Sequence, residues 1–228
     1  MLLKQAWRRT NGRRKSTGMD KTFGKSSIRE VNERAILAAA ESVFAERGYS
    51  GATMSMIAAR AGSPKANIHY YFPTKEGLYR AVIARVLTAW LDAAASFDTS
   101  DDPVEALTAY ISAKMDLARE MPLSSQIYAS EIMRGAPVIQ DFLDTTLSEW
   151  VRSRAAVVRR WVAEGKLKPV APEYLFYMIW ATTQHYANAT HEVATLQGGA
   201  PLGEEAFQRA KRQVAETVLF GVATRIGW

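Results

Sequence analysis

The spacing of proline and glycine constrains this chain more than any other feature. From about residue 29 onward, these residues fall between long segments whose apolar positions recur with a helical period of about 3.6 residues. We find no stretch in which apolar and polar residues alternate in the manner of a half-buried strand. The pattern therefore predicts an all-α chain, which the breaks divide into nine helices.

Capping signals set the expected helix boundaries. Side chains that can cap a helix N-terminus stand at Thr53, Ser63 and Thr74, and the string Asp102-Pro103-Val104-Glu105 is similar to a capping box. Glycines that can end a helix stand at residues 48, 62 and 165. The nine predicted helices cover about residues 30–48, 54–62, 64–71, 74–97, 103–120, 123–134, 137–164, 172–196 and 203–226.

Length and composition exclude several classes of protein. A chain of 228 residues that is 48% hydrophobic can bury one large core or two smaller ones. Because the chain has no cysteine, it has neither disulfides nor a thiolate metal site, which fits a reducing, cytoplasmic setting. No apolar run reaches the roughly 18 residues that a membrane span needs. The amino terminus lacks the apolar core of a signal peptide.

Positive charge is concentrated at the amino terminus. Residues 1–28 contain eight Lys and Arg against the single acid Asp20, which is more positive charge than the +6 of the whole chain. This segment has no apolar periodicity, so we expect a disordered basic arm. The arm could bind DNA phosphates beside a DNA-binding head, or it could be a solubilising tail, and composition does not choose between the two.

Helices two and three have the layout of a helix-turn-helix. A two-turn helix, a tight turn at Ala61-Gly62-Ser63 and a second short helix would place the start of that helix in a DNA major groove. Within it, Ile68, Tyr71 and Phe72 should face the core. The positions expected to face DNA are Lys65, Ala66, Asn67, His69 and Tyr70. On spacing alone, a plain three-helix bundle remains the alternative.

The string TMSMIAARAGSPKANIHYYFPTKEGLYRAVI resembles the amino-terminal signature of the TetR family of transcriptional regulators, over residues 30–85. The resemblance implies a homodimer that binds double-stranded operator DNA, with a head at residues 29–75 and an effector-binding and dimerisation domain at residues 76–228. By position, Thr53 and Lys75 would bind phosphates. His69 stands where many members have Tyr, so the usual phosphate contact there is in doubt.

Two later strings resemble a narrower group, the pyrimidine-responsive regulators of this family. They are EIMRGAPVIQDFL and WVAEGKLKPVAPEYLFYMIWATTQHYAN. The resemblance implies a pocket for uracil or thymine and control of pyrimidine catabolism, with a different small hydrophobic or aromatic effector as the alternative. The ligand-binding residues expected in this chain are Trp90, Leu91, Tyr128, Trp180 and Gln184.

A helical wheel of residues 172–196 separates two faces, at about 100° per residue. One face holds aromatic and neutral polar side chains: Tyr177, Trp180, Gln184, Asn188 and His191. The opposite face is small or apolar and suits a dimer contact: Met178, Thr182, His185, Ala189 and Leu196. Residues 170–200 contain no Lys or Arg, so we expect a neutral, planar ligand. Alternatively, Gln184 bonds within the protein, to Tyr128 or Glu131.

The sequence gives little support for a catalytic site or a metal site. His185 and His191 are six residues apart, which places them about 120° apart on a helix and too far round to share a metal. We find no HExxH motif, no Ser-His-Asp arrangement and no Gly-rich phosphate loop. The expectation is therefore a regulator without catalytic residues, cofactor or metal. A pyrimidine-processing enzyme and an architectural DNA binder without an effector are the alternatives from other classes.

Overall fold

The computed structural model describes residues 22–224, with side chains from residue 28 onward. These residues form ten continuous helical segments and no strand, apart from one isolated bridge between Leu167 and Ala223. The principal helices are α1 (Thr22–Gly51), α2 (Met54–Arg60), α3 (Lys65–Tyr71), α4 (Lys75–Asp92), α5 (Pro103–Glu120), α6 (Pro122–Met133), α7 (Ser148–Ala163), α8 (Pro172–Asn188), α9 (Thr190–Leu196) and α10 (Glu204–Val222). The all-α prediction is confirmed.

Two helices carry irregular extensions. A 3₁₀ turn at Ala93–Ala95 and an α-helical turn at Ser96–Thr99 follow α4 directly. A turn at Gln140–Phe142 and a π-helical segment at Leu143–Leu147 lead into α7. The helix predicted for residues 172–196 is two helices, because the backbone leaves the helical region at Ala189 (φ −111°, ψ 34°). This break accounts for ten segments where nine were expected.

The amino-terminal segment differs from the expected arm in its extent. Residues 1–21, most of the predicted basic arm, lie outside the described residues, and helix α1 is already present at Thr22. The final helix ends at Val222, a few residues before the predicted end at residue 226, which lies outside the described part of the chain.

Most of the predicted caps are confirmed, and two are wrong in detail. Thr53 Oγ1 accepts a hydrogen bond from Met56 N at 3.2 Å, and Asp102 Oδ1 accepts from Val104 N at 2.8 Å. Ser63 does not cap α3. Pro64 takes the cap position without a side-chain bond, and Ser63 Oγ instead accepts from the Asn67 amide at 2.7 Å.

The capping box at residues 102–105 is also incomplete. Glu105 does not reach back to the backbone of Asp102. Its Oε2 instead accepts from Ser100 Oγ at 2.6 Å, and that same hydroxyl accepts from Asp102 N at 3.2 Å. A serine outside the predicted motif therefore connects the two carboxylate residues, and sequence spacing between residues 102 and 105 could not show it.

The chain divides into two compact units after Val82. In the first unit, helix α1 buries Ile36 and Phe44. The side chains of Ile57, Ile68 and Leu78 are completely buried with them. Phe44 packs edge-on against Tyr79, with ring centroids 4.9 Å apart. This small core fixes α2 and α3 against α1.

The second unit begins at Ile83 and has a larger, aromatic core. Helix α5 is amphipathic, and its buried face includes Tyr110, Ile111 and Met115. Aromatic rings from neighbouring segments surround it: the centroid of Phe97 lies 5.5 Å from that of Tyr110 and 5.5 Å from that of Trp161. None of the described helices is long and apolar enough to cross a membrane.

The end of α1 supplies a test of the local fold. Gly48 has φ 66°, and a Cβ at this position would meet no atom within 4 Å, so only the backbone conformation opposes a side chain. We expect Gly48→Ala to lower the free energy of unfolding by about 1 kcal/mol. Gly51→Ala is the matched control, because Gly51 lacks a positive φ and its Cβ would make an ordinary 3.5 Å contact with Arg47. Urea unfolding would contradict the argument if both variants lost equal stability.

Candidate functional site

The tight turn between α2 and α3 presents one face of α3 to solvent. Gly62 adopts φ 59°, which reverses the chain, and Ser63 N donates to Ala58 O at 3.0 Å. Ile68 is completely buried and anchors α3 to the core of the first unit. As a result, α3 has a buried side and an exposed side, as a recognition helix requires.

Four of the five residues predicted to face DNA are exposed on α3: Lys65, Ala66, His69 and Tyr70. The fifth, Asn67, is half-buried, and its amide nitrogen donates to Ser63 Oγ at 2.7 Å. Its amide oxygen is not used in that bond. His69 Nδ1 lies 3.1 Å from the carbonyl oxygen of Pro73, which holds the ring against the turn. Tyr71 and Phe72, predicted as core, are only half-buried.

The two predicted phosphate-binding residues also stabilise the head. Thr53 caps α2, as described above. Lys75 Nζ donates to the carbonyls of Tyr49 at 2.8 Å and Ala52 at 3.1 Å, and it lies 4.5 Å from the ring centroid of Tyr49. An ammonium has three donors, so one remains for another acceptor. Sequence reasoning gave no sign of this second role of Lys75.

A cavity opens in the second unit. Its volume is about 70 Å³, several times the roughly 10–15 Å³ that one water needs. The five residues predicted to bind ligand all line it, namely Trp90, Leu91, Tyr128, Trp180 and Gln184. Six further residues complete the wall: Leu87, Tyr110, Lys114, Phe142, Leu147 and Trp150. The predicted residues are thus brought together, although they come from three separate helices.

Several polar atoms of the cavity wall have no partner in the described structure. Gln184 Oε1 is buried and accepts no hydrogen bond, and the indole nitrogens of Trp90 and Trp150 are buried without an acceptor. Trp180 differs, because its Nε1 donates to the hydroxyl of Tyr110 at 2.8 Å. The bond from Gln184 to Tyr128 or Glu131, which sequence left open, does not form. Buried unpaired groups cost about 1–3 kcal/mol each, so a ligand that pairs them is favoured.

The cavity also contains a positive side chain that the sequence reasoning missed. Lys114 on α5 is only 3% exposed, and its Nζ lies 4.0 Å above the ring of Trp90. Burial lowers the pKa of Lys114 to about 7 and raises that of Tyr128. The expectation of a neutral ligand rested on residues 170–200 alone, which contain no Lys or Arg. It did not consider Lys114, because this lysine comes from another helix, where its apolar neighbours gave no signal.

The comparisons with known proteins agree with this architecture. Residues 36–82 match the family described as bacterial regulatory proteins of the tetR family, and residues 83–225 match the carboxy-terminal region of YcdC-like proteins. The HTH-type transcriptional regulator RutR of Escherichia coli K12 is 36% identical over 209 residues, which cover 91% of this chain and 99% of RutR. The chain belongs to the TetR family.

Solved structures of TetR proteins share the fold. A regulator from Marinobacter aquaeolei VT8 superposes with a TM-score of 0.67 at 21% identity, covering 88% of this chain and all of that one. The ketosteroid regulator KstR2 of Mycobacterium tuberculosis gives a TM-score of 0.65 at 22% identity, covering 85% of this chain and 95% of that one. These two similarities concern the fold alone. The family match and the identity to RutR show that the chain is a ligand-responsive TetR-type transcriptional regulator with a DNA-binding head, and not an enzyme.

The polar face predicted for residues 172–196 is narrower in this TetR protein than the helical wheel indicated. Tyr177 and Asn188 are exposed and do not line the cavity, and His191 lies beyond the break at Ala189, in α9. The wheel assumed one straight helix and a broad polar face. Only Trp180 and Gln184, one turn apart, face the cavity. No group of three or more metal-ligating side chains occurs in residues 28–224.

The exposed face of α3 generates a prediction about DNA. Lys65→Ala and Asn67→Ala should each weaken operator binding by about 1–3 kcal/mol and relax base preference at one position, because each removes donors that can reach base edges. Lys168→Ala, an exposed lysine of the second unit, is the control. Titration of labelled operator and of scrambled duplex measures both effects. Unchanged operator affinity in both α3 variants would remove this face from the DNA contact.

Proposed function

We propose that this protein is a homodimeric repressor that leaves its operator when a small planar ring, uracil or thymine, enters the cavity, in control of pyrimidine catabolism. The observation that carries the proposal is the unpaired Gln184 Oε1 in the cavity wall beside the indole of Trp180. The resemblance of the surrounding sequence to pyrimidine-responsive regulators supports it, as does the 36% identity to RutR over nearly its whole length.

The chemistry of the cavity suits a pyrimidine-2,4-dione. Such a ring offers both N–H groups and carbonyl oxygens along its edge, and an amide offers an acceptor and donors that can pair with them. Flat indole surfaces of Trp180 and Trp150 provide stacking, while Leu87 and Leu91 provide apolar contact. A wall that is mostly apolar, with a few unpaired polar atoms, is the usual composition of a small-molecule site.

Exposed apolar side chains support the homodimer. Tyr174, Tyr177 and Met178 on α8 are exposed, Tyr174 to 72%, and Phe220 on α10 is 59% exposed. Large apolar side chains clustered on two helices of a single chain are a signature of a protein interface. A two-fold contact would bring the same helices of both subunits together. Dimeric heads can then enter successive major grooves, about 34–36 Å apart.

Helix α4 offers a path for the response. It contains Lys75, which holds the end of α1, and about four turns later Trp90, which lines the cavity. A ligand that repacks Trp90 therefore acts on the helix that also contains Lys75. To release the protein from DNA, the ligand must bind more tightly to the conformation that cannot bind DNA. A ligand with equal affinity for both conformations would leave their populations unchanged.

Gln184 is the residue whose replacement tests the proposed effector. Gln184→Leu keeps the volume approximately and deletes the amide, so uracil or thymine affinity should fall by about 1–3 kcal/mol while operator binding is unchanged. Calorimetry measures the affinity, with Gln197→Leu on the exposed end of α9 as control. If the wild type binds neither base below millimolar concentration, the effector is a different small ring. Equal binding by Gln184→Leu would show that this amide does not contact the ligand.

The dimer has a separate test. Phe220→Arg should produce monomers with at least tenfold weaker operator affinity, because a charge would enter the proposed apolar contact and two heads bind better than one. Phe220 is exposed in the single chain, so the monomer should still fold. Ala163→Arg, at an exposed position on α7, controls for the added charge. Sedimentation velocity that shows an intact Phe220→Arg dimer would place the interface elsewhere.

A further inference from the structure

Lys114 is a buried cation without a counter-ion. Its Nζ has one described interaction, with the face of Trp90 at 4.0 Å, and it makes no hydrogen bond or ion pair within the described residues. A desolvated cation–π contact is worth about 2 kcal/mol or somewhat more, whereas burying a charge without a counter-ion costs several kcal/mol. The lowered pKa of Lys114, caused by burial alone, reflects this imbalance.

No acidic side chain lines the cavity. Its titratable groups besides Lys114 are Tyr110 and Tyr128, and burial raises the pKa of both, so they remain neutral at physiological pH. Two acids on the same or the adjoining helix are already engaged. Asp116 binds Lys211 Nζ at 2.7 Å, and buried Glu131 accepts from Val138 N at 2.6 Å and from Arg134 at 2.9 Å. No acidic side chain between residues 28 and 224 is therefore recorded as a partner of Lys114.

The unpaired atoms of the wall define what could supply it. Lys114 Nζ and the indole nitrogens of Trp90 and Trp150 are donors, and Gln184 Oε1 is an acceptor. A ring that pairs with all four needs at least three acceptor atoms and one N–H. The monoanion of a pyrimidine-2,4-dione has this inventory, since loss of one imide proton leaves one N–H, two carbonyl oxygens and a ring nitrogen that carries the negative charge.

We propose that this pocket binds its planar ring in the ionised, monoanionic form, and that Lys114 is the residue that selects for the negative charge. This rests on the proposed function, a regulator whose cavity takes a small planar ring. When the ring arrives neutral and Lys114 is an amine, the imide N–H bond breaks and its electron pair stays on the ring nitrogen. The proton passes to Nζ, which becomes the ammonium of an ion pair. When Lys114 is already protonated, the imide proton leaves to water.

A series of rings with graded acidity tests the proposal. Uracil, 5-fluorouracil and 5-nitrouracil have increasingly acidic imides, and thymine controls for the bulk of a 5-substituent. Calorimetry at pH 7 should show affinity rising along the series, by about tenfold or more between uracil and 5-nitrouracil, because a charge-assisted bond replaces a neutral one. In Lys114→Met, which keeps the apolar stem, the rise should disappear. Lys168→Met is the surface control.

The absorption spectrum of bound 5-nitrouracil gives a readout independent of affinity. Neutral and ionised forms of this ring absorb at different wavelengths. At a pH below the pKa of the free ring, the wild type should shift the bound ring to the spectrum of the anion. A neutral spectrum in the wild-type complex, or the same order of affinities in wild type and Lys114→Met, would overturn the proposal.

Folding of the variant can be checked without ligand. Removal of an unpartnered buried amine should raise the melting temperature of Lys114→Met. The pKa of folded Lys114, about 7, is below its unfolded value, so the amine destabilises the fold most at pH 7 and below. The difference in melting temperature between Lys114→Met and the wild type should therefore shrink as pH rises from 7 towards the ordinary lysine pKa. Equal melting temperatures at all pH values would contradict the unpartnered state of Lys114.

A failure of the proposed effector can be told apart from a failure of this inference. If no pyrimidine binds, benzoate and benzamide form a planar pair that differs mainly in charge. Wild-type protein should then prefer benzoate by about tenfold or more, and Lys114→Met should lose that preference. Such a result would reject pyrimidines and retain charge selection by Lys114. Equal or absent binding of both compounds would reject charge selection as well.

Discussion

The contact between α5 and α8 is the interaction on which the second unit depends. Trp180 Nε1 donates to the buried hydroxyl of Tyr110 at 2.8 Å, so the largest side chain of α8 is fixed in angle and depth against α5. The ring of Trp180 then stacks over Phe176, with an interplanar angle of 15°, and Phe176 joins the central aromatic core. One hydrogen bond therefore orients a side chain that belongs both to the core and to the cavity wall. The position of Gln184, one turn further on, follows from it.

The features that sequence predicted are those set by local chemistry. Gly48, Gly62 and Gly165 all have positive φ and end or kink helices where their spacing indicated, because only glycine adopts that conformation at little cost. The head followed from a motif whose residues are contiguous. The ligand-lining residues followed from the resemblance to a narrower group, and only Trp180 and Gln184 of the five lie within the matching strings. Each of these predictions depended either on residues adjacent in sequence or on the resemblance to a known family.

The features that sequence missed depend on which helices meet. Lys114 could not be assigned to the cavity from α5 alone, since its neighbours along the helix are core residues and one lysine in an apolar face is usually solvated through its long stem. The break at Ala189 has no proline or glycine to announce it, and α9 turns His191 away from the face that the wheel gave it. Ser100 bridges Asp102 and Glu105 through geometry that no spacing rule includes.

The unpaired atoms of the cavity wall, Lys114 Nζ among them, determine how much free energy a ligand can contribute on binding. A core whose polar atoms are all paired gains nothing from a ligand. This wall, in contrast, leaves a cation, two indole N–H groups and an amide oxygen without hydrogen-bond partners. The empty cavity therefore has a higher free energy than a cavity of the same shape whose polar atoms are paired. A ligand that pairs these atoms gains that difference in free energy on binding. That recovered energy is available to favour one conformation over another, provided that the pairing is better in one of them. Trp90 is the residue through which pairing could differ between conformations, because it contacts Lys114 Nζ and belongs to α4. A ligand that draws Nζ away from the indole face would therefore change the contact of Trp90 within the cavity wall.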